Sequence, residues 1–338
     1  HCSLKMQVKE IGEQGLLKVL QHFCPADIIG DDGAVLPTAA DKSLVVTTDV
    51  LIDNVHFSEA TTSPFDVGWR AAAVNLSDLA AMGASPIGIT VGLGLPGETP
   101  VNWVENLYQG MTECLQRYNT KIVGGDIVRS PIISVAITAF GEVAPQRVIG
   151  RNKAKVGNAI VVTGCHGASS AGLELLLNPD STTSLGKNHR QALIKAHQRP
   201  RPRLDVLPIL WEVADSYSVV DVCGMDTSDG LADAILQVCQ CSQVGAVIEA
   251  TQIPLHQAFE NWLTQEQALK YALYGGEDFE LLLCLPEPAA NELVEKLGNS
   301  AAVIGTITDS DKVLLHDENE KIPDQVLNLN RGFQHFTT

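Results

Sequence analysis
The stretch Asn75-Leu76-Ser77-Asp78-Leu79-Ala80-Ala81-Met82-Gly83-Ala84 decides how this chain is read. Its small and apolar residues predict the last turns of a buried helix. Gly83 closes it, since a glycine just past a helix takes the left-handed conformation at least cost. The stretch holds one charge, Asp78, set among Leu76, Leu79, Ala80 and Met82. A carboxylate in such surroundings is costly unless something neutralises it. Either Asp78 caps a neighbouring helix or accepts backbone N–H bonds, or it is the hub of a multi-aspartate site for divalent metal.

Upstream, Ser63-Pro64 starts the same helix, with serine as its cap and proline at the first position. The preceding run Leu44-Val45-Val46-Thr47-Thr48-Asp49-Val50 reads as a strand. Its β-branched, mostly apolar residues suggest burial on both faces. It finishes in oxygen donors only, which suit a hard ion such as Mg²⁺ rather than zinc or copper. Asp53-Asn54-Val55-His56-Phe57 follows as a polar loop that makes His56 a candidate substrate contact. Nearer the N-terminus, residues Glu13 to Phe23 form an amphipathic helix, and Gly30-Asp31-Asp32-Gly33 a tight acidic turn.

Downstream, Pro86 to Leu95 is a strand, Thr99-Pro100 opens a helix reaching about Tyr118, and Lys121 to Asp126 is a strand ending Gly124-Gly125-Asp126. Paired glycines there let a ligand approach the backbone closely. Ile132 to Glu142 is one more strand. Arg147, Arg151, Lys153 and Lys155 make the next stretch the most basic of the chain, either a solvated linker or a reach toward a phosphate. Asn158 to Thr163 reads as a parallel-type strand that feeds the glycine-rich turn Gly164 to Gly172 and a helix. Val219 to Met225 is a strand finishing in Asp226-Thr227-Ser228-Asp229-Gly230. Tyr274-Gly275-Gly276-Glu277-Asp278 precedes the strand Phe279 to Leu285. Both halves alternate strands and helices, which predicts two α/β domains, residues 1–150 and 151–338.

The bulk properties narrow the function. The chain has 338 residues and a net charge of −17, which argues against a nucleic-acid partner. Its eight cysteines form no CxxC pair and several sit in apolar runs, as expected of reduced core thiols in a cytoplasmic protein. No secretion signal is legible, and no stretch is apolar for long enough to span a membrane.

Any one acidic turn is commonplace; five are not. Together they concentrate six or seven carboxylates, several after β-branched strands, where open α/β sheets place ligands. Brought close, such charges repel by several kcal/mol even at an effective dielectric of about 20. Magnesium ions with bridging phosphates relieve this, which points to ATP chemistry without a Walker motif.

In this order and over nearly the whole chain, these motifs resemble the thiamine-monophosphate kinase family. It belongs to the ATP-binding superfamily of aminoimidazole ribonucleotide synthetase. The resemblance implies transfer of the ATP γ-phosphoryl group to thiamine monophosphate, assisted by several Mg²⁺ ions. It implies that Asp32, Thr47, Thr48, Asp49, Asp78, Asp126, Asp226 and Asp229 hold magnesium, and that Asp78, Asp126 and Asp229 matter most for catalysis. It implies that Gly125, Asp126, Arg151 and Ser228 contact ATP, that Tyr108 packs on adenine, and that His56, Glu277 and Phe333 face the substrate. It further implies a homodimer formed through an N-terminal mixed sheet, with ATP in the cleft between that domain and the C-terminal one.

The alternatives are a cyclo-ligase of the same superfamily or a non-catalytic protein that binds metal or nucleotide. Selenophosphate synthetases need a reactive Cys near a Lys in a glycine-rich N-terminal segment, which neither Cys2 nor Cys24 has. The hydrogenase maturation factor of the superfamily ends in a functional Cys, whereas this chain ends Phe336-Thr337-Thr338.

Overall fold
The computed structural model describes residues 6–29, 33–181, 184–321 and 323–328. Two compact units emerge: His1–Leu79 with Ala84–Val143, and Ala80–Gly83 with Ala144–Thr338.

The first unit is built on a four-stranded mixed sheet, in the order β1 (Ser43–Ile52), β4 (Ser134–Val143), β2 (Ser85–Leu95) and β3 (Ile122–Arg129). Strands β1 and β2 both run antiparallel to β4, while β2 and β3 are parallel, joined through helix α3 (Val101–Arg117). One face is closed off: Ile89, Val91, Leu93, Val135, Ile137 and Ala139 are all buried. The other face of β1 is open. Leu44, Val46 and Val50 are 54%, 52% and 45% exposed. The expectation that this strand is buried on both faces is therefore wrong. It is an edge strand, and β-branched residues favour any pleated strand, whether or not both its faces are covered.

Helix α2 (Pro64–Ala81) begins where the sequence placed it. Ser63 Oγ accepts the Asp66 N–H at 3.2 Å and donates to Asp66 Oδ2 at 3.0 Å. Gly83 closes it at φ +78°. Helices α2 and α3 meet backbone to backbone: a Cβ on Gly68 would lie 1.8 Å from the Leu107 carbonyl oxygen, and one on Gly110 the same distance from that of Phe65. Helix α1 (Val8–Leu20) is broken at Gly12 and continues as a short turn of 3₁₀ helix to Phe23, so its regular part matches the expected Glu13–Phe23 helix.

The second unit carries a seven-stranded mixed sheet. Its order is β11 (Gln325–Val326), β10 (Val313–His316), β7 (Gly245–Glu249), β9 (Ala302–Thr308), β5 (Ala159–Val162), β8 (Leu281–Leu285) and β6 (Cys223–Asp226). The expectation of a parallel-type β5 fails, because β5 is antiparallel to both β8 and β9. Its four residues are buried on both faces, and an apolar run of that kind does not encode direction. Ile160 and Val162 join one core with helices α7 (Leu231–Ser242) and α8 (Gln265–Tyr274). Ala159 and Val161 join another with α6 (Val206–Ser216) and α9 (Glu287–Leu297). Helices α4 (Ala168–Leu177) and α5 (Lys187–Gln198) pair beside this sandwich around a smaller cluster with Phe259. Among the described residues, no helix is long and apolar enough to cross a membrane.

Candidate active site
From Asp66 to Ala80 every residue of α2 is buried except Asp78. That carboxylate sits on the helix facing β1, where Thr47 Oγ1 donates to Asp78 Oδ2 at 2.6 Å. Thr47 and Asp49 are two apart on β1 and so leave the strand on the same face. Thr48 leaves on the other and exchanges a 2.9 Å hydroxyl bond with Thr138 of β4. Thr47, Asp49 and Asp78 thus offer an all-oxygen set on one side of the sheet, the donor chemistry that suits Mg²⁺. Among the described residues, no group of three His, Cys, Asp or Glu side chains is already gathered as a metal nest.

Asp126 is elsewhere. It lies on β3, at the opposite edge of the sheet from β1, three strand spacings or roughly 14 Å away. There it lines a cavity of about 400 Å³ with Gly124, Gly125, Thr90, Tyr108, Cys24 and the apolar Leu17, Leu20, Ile28 and Ile29. Gly125 must be glycine, since a Cβ would come within 2.2 Å of the Val91 carbonyl oxygen. Tyr108 is buried on α3, with Phe23 5.7 Å away ring to ring, and burial raises its hydroxyl well above the ordinary value. So Tyr108, Gly125 and Asp126 come together, apart from Thr47, Asp49 and Asp78. His56 follows β1 in a tight loop. Its Nδ1 accepts the Ile52 N–H at 3.0 Å, so a neutral ring carries its proton on Nε2. Asp32 and Phe333 lie outside the described residues.

In the second unit the turn after β6 is tied from several sides. Buried Asp226 accepts from Ser228 Oγ at 2.9 Å. Thr227 donates its N–H to the Glu280 carbonyl at 2.9 Å, and its hydroxyl pairs with His166 Nε2 at 3.0 Å. His166 Nδ1 is 3.0 Å from the Gly164 carbonyl. A carbonyl only accepts, so Nδ1 carries the proton and Nε2 accepts from Thr227. Burial lowers this histidine to about 4, so it stays neutral and structural. Gly230, at φ +105°, turns the chain into α7 and leaves Asp229 exposed.

The Gly275-Gly276-Glu277-Asp278 segment packs against that turn. Glu277 N–H donates to the Ser228 carbonyl at 2.7 Å, and a Cβ on Gly276 would sit 2.9 Å from the same oxygen. Glu277 and Phe279 both adopt positive φ, +68° and +52°, a strain tolerated where surrounding structure over-determines the backbone. The Glu277 carboxylate reaches within 3.7 Å of buried His197, whose Nδ1 is 3.1 Å from Ser169 Oγ. Asp278 accepts the Gly167 and Ser169 N–H groups at 2.8 and 3.1 Å, capping α4, and burial pushes its carboxyl up to about 7. Arg203 pairs with Glu280 at 2.6 Å.

Arg151 is exposed, and its guanidinium donates to Gln237 Oε1. Gln237 and its partner Asp233 had no signal in the sequence beyond a polar pair four apart on a helix. Burial pushes the Cys114 thiol up to about 12 and those of Cys165 and Cys239 up to about 11, which disfavours the reactive thiolate at these three positions.

Comparison with known proteins agrees along the length of the chain. Residues 30–143 match the family model for the N-terminal domain of AIR synthase related proteins, and residues 155–318 that for the C-terminal domain. A thiamine-monophosphate kinase of Synechococcus elongatus is 51% identical over 331 residues, covering 98% of each chain. The crystal structure of thiamine-monophosphate kinase from Stenotrophomonas maltophilia superposes with TM-score 0.75 at 33% identity, covering 87% of this chain and 90% of that one. A structure described as AaThiL complexed with AMPPCP and TMP superposes with TM-score 0.71 at 32% identity, over 96% and 99%.

Proposed function
The chain belongs to the thiamine-monophosphate kinases among the AIR synthase related proteins, and from that premise we propose that it transfers the γ-phosphoryl group of ATP to the phosphate of thiamine monophosphate, giving thiamine diphosphate. The observation that carries this is Asp78: a partly exposed carboxylate in the otherwise buried Asp66–Ala80 stretch of its helix, held by Thr47 at 2.6 Å.

The acceptor is a phosphate oxygen, ionised near neutral pH because its second pKa is about 6. No side chain need act as a base. The obstacle is the approach of two anions, which positioning and charge neutralisation overcome. Magnesium, when bound, supplies that neutralisation and aligns in-line attack. In the first unit Thr47, Asp49 and Asp78 would hold such an ion from one side of the sheet, Thr48 lending only its backbone carbonyl. Asp126 would hold one at the cavity, and Asp32 contributes on the family pattern. In the second unit Asp226 and Asp229 flank the turn that would do the same. These residues carry no metal chemistry of their own; they fix carboxylate oxygens where phosphate charge must be met.

The cavity beside Tyr108 has the size of a small-molecule site and a largely apolar wall, which supports adenine binding there with Gly125 beneath it. Arg151 and Ser228 would meet phosphate oxygens of the nucleotide, while His56, Glu277 and Phe333 face the thiamine phosphate. The open face of β1, with Leu44, Val46 and Val50 exposed, supports self-association into a homodimer through the first unit. The acidic charge, the thiols and the chemistry suit a cytoplasmic enzyme with no nucleic-acid or membrane partner.

The test is direct. Protein incubated with ATP, Mg²⁺ and thiamine monophosphate should release ADP and form thiamine diphosphate in equal amounts. ADP release without thiamine diphosphate, or equal use of unphosphorylated thiamine, would overturn the assignment.

A further inference from the structure
Helix α7 leads directly out of the Asp226–Gly230 turn and grips Arg151 in two places. Near its end, Ser242 Oγ donates to the Arg151 carbonyl at 3.0 Å and accepts the Ala154 N–H at 3.1 Å, which fixes the backbone. Nearer its start, Gln237 Oε1 accepts from Arg151 Nη1, while Gln237 Nε2 donates to Asp233 Oδ2 at 2.7 Å. Asp233 and Gln237 are four residues apart on α7 and therefore share a face. The charges of both Asp229 and Arg151 act on Asp233, so the turn and the arginine are close neighbours of this pair.

The order of donors and acceptors matters. An amide has a carbonyl end and an NH₂ end, and the guanidinium can only donate. With its NH₂ bound to the Asp233 carboxylate, Gln237 must offer its carbonyl to Arg151. The reversed amide would set donor against donor on one side and acceptor against acceptor on the other. Asp233 thereby decides which end of Gln237 meets the arginine. An exposed arginine otherwise samples many rotamers, and ordering it weakens whatever it binds.

We propose that Asp233 and Gln237 are positioning residues which preset the Arg151 guanidinium beside the Asp226–Asp229 turn for a phosphate group of the nucleotide. This rests on the reading of Arg151 as an ATP contact. Neither residue touches the reacting atoms; both act through Arg151.

Steady-state kinetics of the full chain test it. Gln237→Ala and Asp233→Ala raise KM for ATP three- to tenfold, while kcat changes less than twofold. Asp233→Asn, which keeps an acceptor for the Gln237 amide, recovers most of the affinity lost in Asp233→Ala. The double variant Arg151→Ala/Gln237→Ala is no worse than Arg151→Ala alone, because the relay has nothing left to hold. If Arg151→Ala raises KM for ATP but neither Gln237→Ala nor Asp233→Ala does, or if the penalties add, the relay is overturned and the ATP contact stands. If Arg151→Ala leaves KM for ATP unchanged, the underlying contact itself is wrong, and the relay falls with it.

Discussion
Thr47 on β1 donates its hydroxyl proton to Asp78 on α2 across 2.6 Å. A short O–H···O⁻ bond of this kind is charge-assisted and orients the carboxylate oxygen that accepts it. It also ties the acidic helix to the strand whose next inward residue is Asp49.

Asp78→Asn retains an oxygen for Thr47 but removes the charge. Changes to groups one step behind a metal ligand already cost about 10- to 100-fold. Loss of Asp78 as the proposed direct ligand should therefore lower kcat at least ~100-fold, with the melting temperature little changed. Activity near that of the parent, measured by ADP release, would remove Asp78 from the centre of the site.

Gly125→Ala places a methyl group 2.2 Å from the Val91 carbonyl oxygen, and strand β3 must shift to admit it. Overpacking of this sort costs about 1–3 kcal/mol. Denaturant unfolding should show that loss together with weaker ATP binding, since the displaced strand forms the cavity wall. A variant with unaltered stability would mean the β2–β3 contact is looser than described.

His166 provides a test through pH. Its folded value is about 4 against 6.5 when exposed. Between these values the unfolded chain binds a proton that the folded chain refuses, so stability rises with pH across the window and is complete above it. The span corresponds to about 3 kcal/mol. Asp278, raised to about 7 by burial, contributes the opposite slope from its ordinary value upward. The informative quantity is thus the difference between parent and His166→Gln. That difference should grow from pH 4 to 6.5 and level off above. A flat difference would show that His166 is not held neutral.

Val46→Asp adds a charge to the open face of β1 without touching the buried face. Light scattering should report pairs of 36.2 kDa chains for the parent, as the proposed dimer requires, and single chains for the variant. Pairs that survive the change would move the dimer contact away from this strand.

Much of this architecture was legible because its signals are local. Ser63-Pro64 and Gly83 mark both ends of α2, and Asp226 closes β6, whereas Thr47-Thr48-Asp49 and Gly124-Gly125-Asp126, read as strand ends, lie inside β1 and β3. What failed depended on pairing. Strand β1 reads as fully buried because valine and threonine suit a pleat whether or not a second layer covers it; only the sheet order shows it to be an edge. The direction of β5 is set by β8 and β9, more than a hundred residues away. Proximity in the site was hidden for the same reason. The Thr47-Thr48-Asp49 and Gly124-Gly125-Asp126 stretches look equivalent in sequence, yet the order β1-β4-β2-β3 sets them at opposite edges. Asp233 and Gln237 are an ordinary polar pair on a helix until Arg151 is seen to end on them.

The close crossing of α2 and α3 at Gly68 and Gly110 leaves no slack between their main chains. Gly68 precedes Asp78 by ten residues, about 15 Å along the helix axis. A side chain added at either glycine would wedge the two rods apart and swing Asp78 on the end of a lever. Inheritable loss of turnover can therefore originate well away from any phosphate, in a protein whose every ligand-facing group is intact.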